Sequence, residues 1–404
     1  MKKFISKSRA EGKVAVPSSK SASHRLLILA ALCNGKVSRI SGITPSEDIL
    51  ATIDCLRAMG AKIEYDGECA TVVGFDPLNA KPSVPLNCRE SGSTLRFLIP
   101  IAMLSDSEVR FVGSNRLMER SQSIYERIAE EENLLFKRDN HGITVKGRLT
   151  AKEYFIDGKV SSQFISGLLM ALSTLSGDSR IIVNNKIESE PYVNMTIEAM
   201  AEMGVKVYRE DDYSFFTFGG QSYRAKDLTV EGDWSGAAFL EAFNHIGGEV
   251  EIEGLNESSL QADKVCRDLF HQLDEGCPDI DISNCPDLGP ILFTLAAIKN
   301  GARFTGTRRL RDKESDRIAA MQEELHKFGG VLVVEDNSVT VEKHALHSPT
   351  ERIDGHNDHR IVMSMAVILT LFGGEIDGCE AVRKSYPNFF EHLSELGISI
   401  SECR

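Results

Sequence analysis

The stretch SSKSASHRLLILAAL, residues 18–32, sets the pattern of the whole chain: a small, polar turn runs straight into a helix-length apolar segment. Five further segments repeat the design. They are RESGSTLRFLIPIAML (89–104), SSQFISGLLMALSTL (161–175), GDWSGAAFLEAF (232–243), CPDLGPILFTLAAI (285–298) and GHNDHRIVMSMAVILTL (355–371). Their starts recur at roughly 70 residues with one shorter interval, as copies of a duplicated supersecondary unit do.

A second, amphipathic series falls between them. SEDILATIDCLRAMGAKIEY (46–65), MERSQSIYERIAEEENLLF (118–136), EPYVNMTIEAMAEMGVKVYR (190–209), KESDRIAAMQEELHKFGGVLVV (313–334) and YPNFFEHLSELGISI (386–400) place apolar residues at helical spacing. Most end at glycine or asparagine and then alternate as a strand does. ESSLQADKVCRDLFHQL (257–273) is a weaker sixth member. Each unit therefore reads β, apolar helix, β, amphipathic helix, then strands, and six units make two domains of three. The expected boundaries are 18–231 for one domain and 1–17 plus 232–404 for the other. A chain of 404 residues also exceeds one compact core.

The first series is hydrophobic nearly all round, so its helices belong inside their domains. Their N-termini are rich in Ser, Gly, Asp and Asn, which cap helices and leave backbone N–H groups pointing outward. Each such end favours an anion by roughly 0.3–1 kcal/mol at exposed sites. Periodicity alone is equally compatible with a helical repeat whose caps are merely structural. The side chains add information. Lys20, Arg25 and Arg96 lie in apolar-helix first turns, Arg120 opens an amphipathic helix, Lys313 and Arg317 open another, and Arg360 and Lys384 flank the last pair. A helix dipole repels cations in the first turn, so each needs a negative partner. One case would be a salt bridge; eight at equivalent places look like a site for more than one anion.

Asp287 in CPDLG and Glu314 in KESDR fall within this set. Either could be a simple N-cap, but a carboxylate among cations is placed for proton transfer. Ser161, Ser162 and Gln163 offer neutral donors, with plain capping as the competing reading. His356 and His359 have helical metal-ligand spacing, yet Asp358 and Arg360 beside them favour a cap and an anion contact over zinc. Neither a GxxxxGK loop nor a strand–GxGxxG–helix fingerprint occurs, so no ATP or dinucleotide cofactor is indicated. Trp234 is expected to be packing.

The net charge of −13 argues against a nucleic-acid or membrane-surface partner. No apolar run is long enough to span a bilayer, and MKKFISKSRAEGK lacks the apolar core of a secretory signal. Nine scattered cysteines without a CxxC pair read as reduced, mostly buried thiols in a cytoplasmic protein.

VPSSKSASHR, SGSTLR, LMERS, SSQFISGLLMA, ESEPYVNMTIEAM, VEGDWSGAAF, CPDLGPILFTLA, LRDKESDRIAAM, GHNDHRIVMSMA and VRKSYPNFF run in order through nearly the whole chain. In these motifs the sequence resembles the 5-enolpyruvylshikimate-3-phosphate (EPSP) synthase family of enolpyruvyl transferases. The resemblance implies a two-domain inside-out α/β barrel of six βαβαββ repeats, with helix N-termini facing an interdomain cleft. It implies transfer of the enolpyruvyl group of phosphoenolpyruvate to the 5-hydroxyl of shikimate 3-phosphate, with both as small-molecule partners, in a monomer without metal or cofactor. Lys20, Gly92, Arg120, Gln163, Arg317, Arg360 and Lys384 match positions that hold phosphoenolpyruvate. Ser21, Arg25, Ser161, Ser162, Gln163, Ser189, Tyr192, Asp287 and Lys313 match contacts to shikimate 3-phosphate. Glu314 is then the proton donor to C3, Asp287 the base at the hydroxyl, and Lys20 an electrostatic and proton-handling partner.

Glu90, Phe97 and Arg309 depart from residues common in the family, while Gly92 is kept, which implies the gap that accommodates glyphosate. UDP-N-acetylglucosamine enolpyruvyl transferases share the fold. That family carries Lys-Asn at the first helix and a cysteine or aspartate on a mobile loop; here the pair is Lys20-Ser21, and residues 113–121 contain no cysteine.

Overall fold

The computed structural model describes residues 1–403, and the chain forms two compact units. One unit is Lys20–Glu231; the other joins Met1–Ser19 to the chain from Gly232 onward. Each has its own apolar core.

The Lys20–Glu231 unit is a threefold repeat. The segment from Leu86 to Lys146 shows the complete form: strand Leu86–Asn87, helix Gly92–Ala102, strand Val109–Val112, helix Ser123–Glu131, then the hairpin Leu135–Asp139 and Gly142–Lys146. Its sheet pairs the first two strands in parallel, joined through the apolar helix, and adds the hairpin antiparallel. The next segment repeats it, with Glu153–Asp157, Ser179–Asn184, Ser214–Thr217 and Tyr208–Asp211 in that spatial order around helices Ser162–Leu172 and Glu190–Glu202. In the remaining repeat Val37–Ser41 pairs in parallel with Leu228–Thr229, a strand delivered from the far end of the unit.

The second unit holds two further four-stranded sheets and one two-stranded sheet. Asp279–Asp281, Ala302–Thr305, Ser338–Glu342 and Val331–Val334 keep the complete order. The sheet of Ile353–Asp354, Gly374–Asp377 and Ile400–Glu402 takes its third strand from Lys3–Ile5, near the N-terminus. Glu11–Ala15 and Glu249–Glu253 pair in parallel without a hairpin. The fourth repeat in chain order is thus abbreviated, because the chain passes from helix Cys266–Glu275 directly to the next repeat's first strand. That brevity is the short interval in the sequence period.

The apolar helices are buried as their composition requires. In Gly289–Ile298 nine of ten residues are buried, and in Ser162–Leu172 ten of eleven. The amphipathic helices lie outside them and stop at left-handed residues: Gly60 with φ +115°, Asn133 with φ +54° and Gly204 with φ +82°. Trp234 is buried, donating from Nε1 to the Asn256 carbonyl. Six of the nine cysteines are buried and none is in a disulfide.

Helices Gly92–Ala102 and Ser162–Leu172 pack closely for a definable reason. Pro100 has no N–H to give the Arg96 carbonyl four residues earlier, and that carbonyl accepts from the Tyr125 hydroxyl at 2.6 Å instead. A Cβ at Gly167 would lie 2.7 Å from both the Arg96 carbonyl and the Tyr125 hydroxyl. Gly167→Ala should therefore lower the urea unfolding free energy by about 1–3 kcal/mol, despite alanine's ~1 kcal/mol advantage as a helix former. An unchanged or raised denaturation midpoint would contradict this packing.

Candidate active site

In the Lys20–Glu231 unit several of the named side chains lie at or near helix starts and are held by specific contacts. Lys20 is the first residue of its helix, and its Nζ lies 2.9 Å from Asp48 Oδ2. Asp48 is the negative partner that a first-turn lysine needs; it sits in the first turn of the neighbouring amphipathic helix. Arg25 is buried and fully engaged: Nε donates to Thr196 Oγ1 at 2.8 Å, Nη1 to the Ser21 carbonyl at 2.7 Å and Nη2 to the Tyr192 carbonyl at 2.8 Å. Burial pushes its pKa down to about 10. Its guanidinium also lies 5.2 Å from the Phe97 ring centroid, so the unusual Phe97 is a stacking surface for Arg25.

Ser161 caps the third apolar helix by accepting from Gln163 N–H. The Gln163 side chain is pinned between repeats, accepting from Arg96 Nη1 at 2.9 Å and donating to Ser93 Oγ at 2.9 Å. Ser162 is buried next to it. Ser189 is buried with φ +57° at the start of the helix whose first turn contains Tyr192. That strained conformation fixes where the serine points.

Arg120 does not open the amphipathic helix. It follows the short helix Asn115–Glu119, three residues before Ser123–Glu131, with an extended backbone. The departure brings it against Gly92. A Cβ on Gly92 would lie 2.7 Å from Arg120 Nη1 and 3.1 Å from Cζ, so the guanidinium rests in space that glycine leaves open and a methyl there would displace it. Arg120 is buried, and its Nε has no hydrogen-bond partner among the described residues.

The unit containing Gly232 onward holds a denser constellation. Asp287 Oδ1 lies 2.8 Å from Arg317 Nη1 and 3.1 Å from Lys313 Nζ, while Oδ2 lies 3.2 Å from Arg360 Nη2. Arg360 also donates to the Asp287 carbonyl at 3.0 Å. Arg317, only 1% exposed, reaches three carboxylates: Asp287, Glu314 at 2.8 Å and Asp358 at 2.8 Å. Asp358 is wholly buried, caps Arg360 N–H at 2.9 Å and accepts from Ser315. The buried Lys384 donates to the Asn357 carbonyl at 2.5 Å.

These contacts set the electrostatics. Burial pushes the Asp287 carboxyl up, but Arg360, Lys313 and Arg317 together hold it well below the usual carboxylate range. Burial outweighs Asp287's pull on Lys313 and lowers that ammonium to about 8. Asp358 is likewise held low, Arg317 overcoming its burial. The cations are matched by internal carboxylates.

Three participants escaped the sequence reading. Asp48 was not singled out, and Asp358 was read as part of a cap rather than as a partner of Arg317. Asp263 lay in the weakest helical segment; it is buried, accepts from Ser235 Oγ and is pushed up to about 6 by burial, with Arg360 opposing and Asp287 reinforcing. For Asp48 and Asp358 a signal was available: an acid at a helix start beside a cation in need of a partner. Glu90 and Arg309 are half-buried. Among the described residues, one group with metal-ligand spacing is His245, His271 and Asp274, where Lys299 Nζ already lies 2.8 Å from Asp274.

Solved structures share this architecture. An EPSP synthase from Acinetobacter baumannii aligns with a TM-score of 0.78 at 22% identity, covering 99% of this chain and 100% of its own. The enolpyruvyl transferase NikO from Streptomyces tendae aligns at 0.75 with 15% identity, covering 99% and 98%. The fold is therefore the two-domain inside-out α/β fold of the enolpyruvyl transferases. The family model for EPSP synthase (3-phosphoshikimate 1-carboxyvinyltransferase) matches residues 5–393. A 3-phosphoshikimate 1-carboxyvinyltransferase of Clostridium kluyveri is 36% identical, covering 98% of each chain, and one of Clostridioides difficile is 34% identical, covering 98% and 97%. This chain belongs to the EPSP synthase family.

Proposed function

We propose that the chain is a transferase of the shikimate pathway that moves the enolpyruvyl group of phosphoenolpyruvate to the 5-hydroxyl of shikimate 3-phosphate. Family membership supports the reaction. The observation that carries the chemistry is Asp287, a carboxylate held by Lys313, Arg317 and Arg360 at once. Three cations gathered on one small carboxylate suit substrates that each carry a phosphate and a carboxylate.

In the proposed assignment, Lys20, Gly92, Arg120, Gln163, Arg317, Arg360 and Lys384 hold phosphoenolpyruvate. Ser21, Arg25, Ser161, Ser162, Gln163, Ser189, Tyr192, Asp287 and Lys313 hold shikimate 3-phosphate. The hydroxyl oxygen bonds to C2 and gives its proton to Asp287, while Glu314 protonates C3 to a methyl group. The tetrahedral adduct then breaks its C2–O bond to phosphate, and C3 returns a proton to restore the double bond. Asp287 is too acidic for a base while three cations hold it. It gains basicity when substrate phosphate and carboxylate draw those cations away, which ties proton abstraction to complete substrate binding. Lys20, already paired with Asp48, stabilises charge and handles the proton.

No helix among the described residues is long and apolar enough to cross a membrane. A monomer acting in the cytoplasm completes the proposal.

Two measurements follow. Phosphate release from phosphoenolpyruvate should require shikimate 3-phosphate and not proceed with UDP-N-acetylglucosamine; release only with the nucleotide sugar would sink the assignment. Gly92→Ala should displace Arg120 and raise KM for phosphoenolpyruvate about tenfold or more, worth ~1.4 kcal/mol, while weakening competition by glyphosate. Unchanged KM and inhibition would disprove that Arg120 serves this substrate, and indifference of the unsubstituted enzyme to millimolar glyphosate would remove the gap.

A further inference from the structure

The loop from Gly355 to Asp358 carries two groups on which the neighbouring cations depend, yet its backbone is unfavourable. His356 and Asn357 have φ of +48° and +50°, left-handed backbone that non-glycine residues keep only when their surroundings hold them there. The Asn357 carbonyl accepts from Lys384, and the Asp358 carboxylate holds Arg317. Such a loop keeps its shape only if surrounding contacts over-determine it.

Glu324 supplies those contacts. Its carboxylate is wholly buried. Oε1 lies 2.8 Å from His356 Nε2 and 2.9 Å from Lys327 Nζ; Oε2 lies 2.8 Å from Lys327 Nζ and accepts from Asp354 N–H at 3.0 Å. Asp354 in turn accepts from His356 N–H at 2.7 Å. Glu323, Glu324 and His356 have ligand atoms close enough for a metal ion, but the Lys327 ammonium already occupies both Glu324 oxygens. The cluster is an ion-paired anchor.

Acids predominate around the imidazole. Helix Arg317–His326 and its end bring Glu323, Glu324 and Lys327, and strand Ile353–Asp354 brings Asp354; Asp377, paired with Asp354 on the adjoining strand, has Arg352 at 3.8 Å. Asp358 is committed to Arg317, and Lys384 lies across the loop on the Asn357 carbonyl. The Glu324 hydrogen bond raises His356 above its ordinary value, burial opposes it, and the charges of Glu324, Asp354 and Glu323 reinforce it. For a histidine raised in the folded state, the added stability is complete below about pH 6.5 and is lost as pH rises through the folded value.

We propose that His356 is a positioning residue whose ion pair with Glu324 holds this loop so that Asn357 and Asp358 keep Lys384 and Arg317 in place for the anionic substrate. The proposal rests on the assignment of Lys384 and Arg317 to phosphoenolpyruvate made above.

The test measures KM and kcat for the unsubstituted enzyme, His356→Gln and Lys384→Met from about pH 6 to about pH 9. Glutamine keeps a neutral donor without the charge. His356→Gln should raise KM for phosphoenolpyruvate roughly three- to tenfold at the acid end, more in KM than in kcat, with the ratio to the unsubstituted enzyme falling toward one at the alkaline end. A ratio independent of pH overturns the proposal. If Lys384→Met raises KM at every pH while that ratio stays flat, the positioning role fails and the phosphoenolpyruvate assignment stands. If Lys384→Met leaves KM unchanged, the assignment falls and takes the proposal with it. Independently, NMR titration should place the His356 midpoint above 6.5 and lower it in Glu324→Gln; an unmoved midpoint also overturns the ion pair.

Discussion

Replacing Arg317 with alanine is expected to lower the unfolding free energy by about 3–5 kcal/mol, the range for removing one partner of a buried ion pair. Arg317 is 1% exposed and Asp358 is wholly buried, so the substitution strips a desolvated carboxylate of its ion-pair partner. Asp287 and Glu314 lose a 2.8 Å partner at the same time. The loss should depend on pH, with a sign fixed by the carboxylates. Asp287 and Asp358 are held below their ordinary values in the folded protein, so their contribution to stability is present above about pH 4 and is lost as pH falls through the folded values. The stability gap between the unsubstituted protein and Arg317→Ala should therefore be widest near neutrality and narrow below pH ~4. Arg317→Lys should fall between them, because one ammonium cannot reproduce a planar fork that meets three carboxylates. Urea denaturation across pH reads all of this, and a gap that does not change with pH would refute the electrostatic explanation.

Asp287→Asn is expected to reduce kcat by about 100-fold or more, the usual scale for losing a positioned base, with KM changing less. The amide keeps the size and the hydrogen-bond acceptor but cannot take a proton from the 5-hydroxyl. It also leaves Lys313, Arg317 and Arg360 without their shared carboxylate charge. If Asp287 were only a counter-ion for these cations, the substitution would tighten the binding of anionic substrates and spare kcat. The split between kcat and KM separates the two roles. A kcat within a few-fold of the unsubstituted enzyme would remove Asp287 as the base.

Much of this was legible in residue order. Six apolar helices with polar starts, such as Gly289–Ile298 with its preceding CPDL, announce themselves because burial on all sides leaves no polar face. The cations stood out because first-turn lysines and arginines contradict the helix dipole. The borrowed strands were not legible. Leu228–Thr229 and Lys3–Ile5 span two and three residues, too short for alternation to register, and their partners lie far away in sequence. Nor could spacing show that Arg120 reaches Gly92, since that depends on an extended link rather than a helical turn. Pairings such as Lys20 with Asp48 join two helices, and only packing decides them. Asp287 is the instructive case: its acidic character and its neighbours were visible in the sequence, but its hold by three cations at once was not.

Enolpyruvyl transfer to shikimate 3-phosphate is tested most directly by following phosphoenolpyruvate, shikimate 3-phosphate and the enzyme together by phosphorus NMR. Free phosphate should appear in step with the loss of both substrate signals and the growth of one new phosphate monoester, the enolpyruvyl ether. Phosphate released while the shikimate 3-phosphate signal stays unchanged would mean hydrolysis without transfer and would contradict the proposed function.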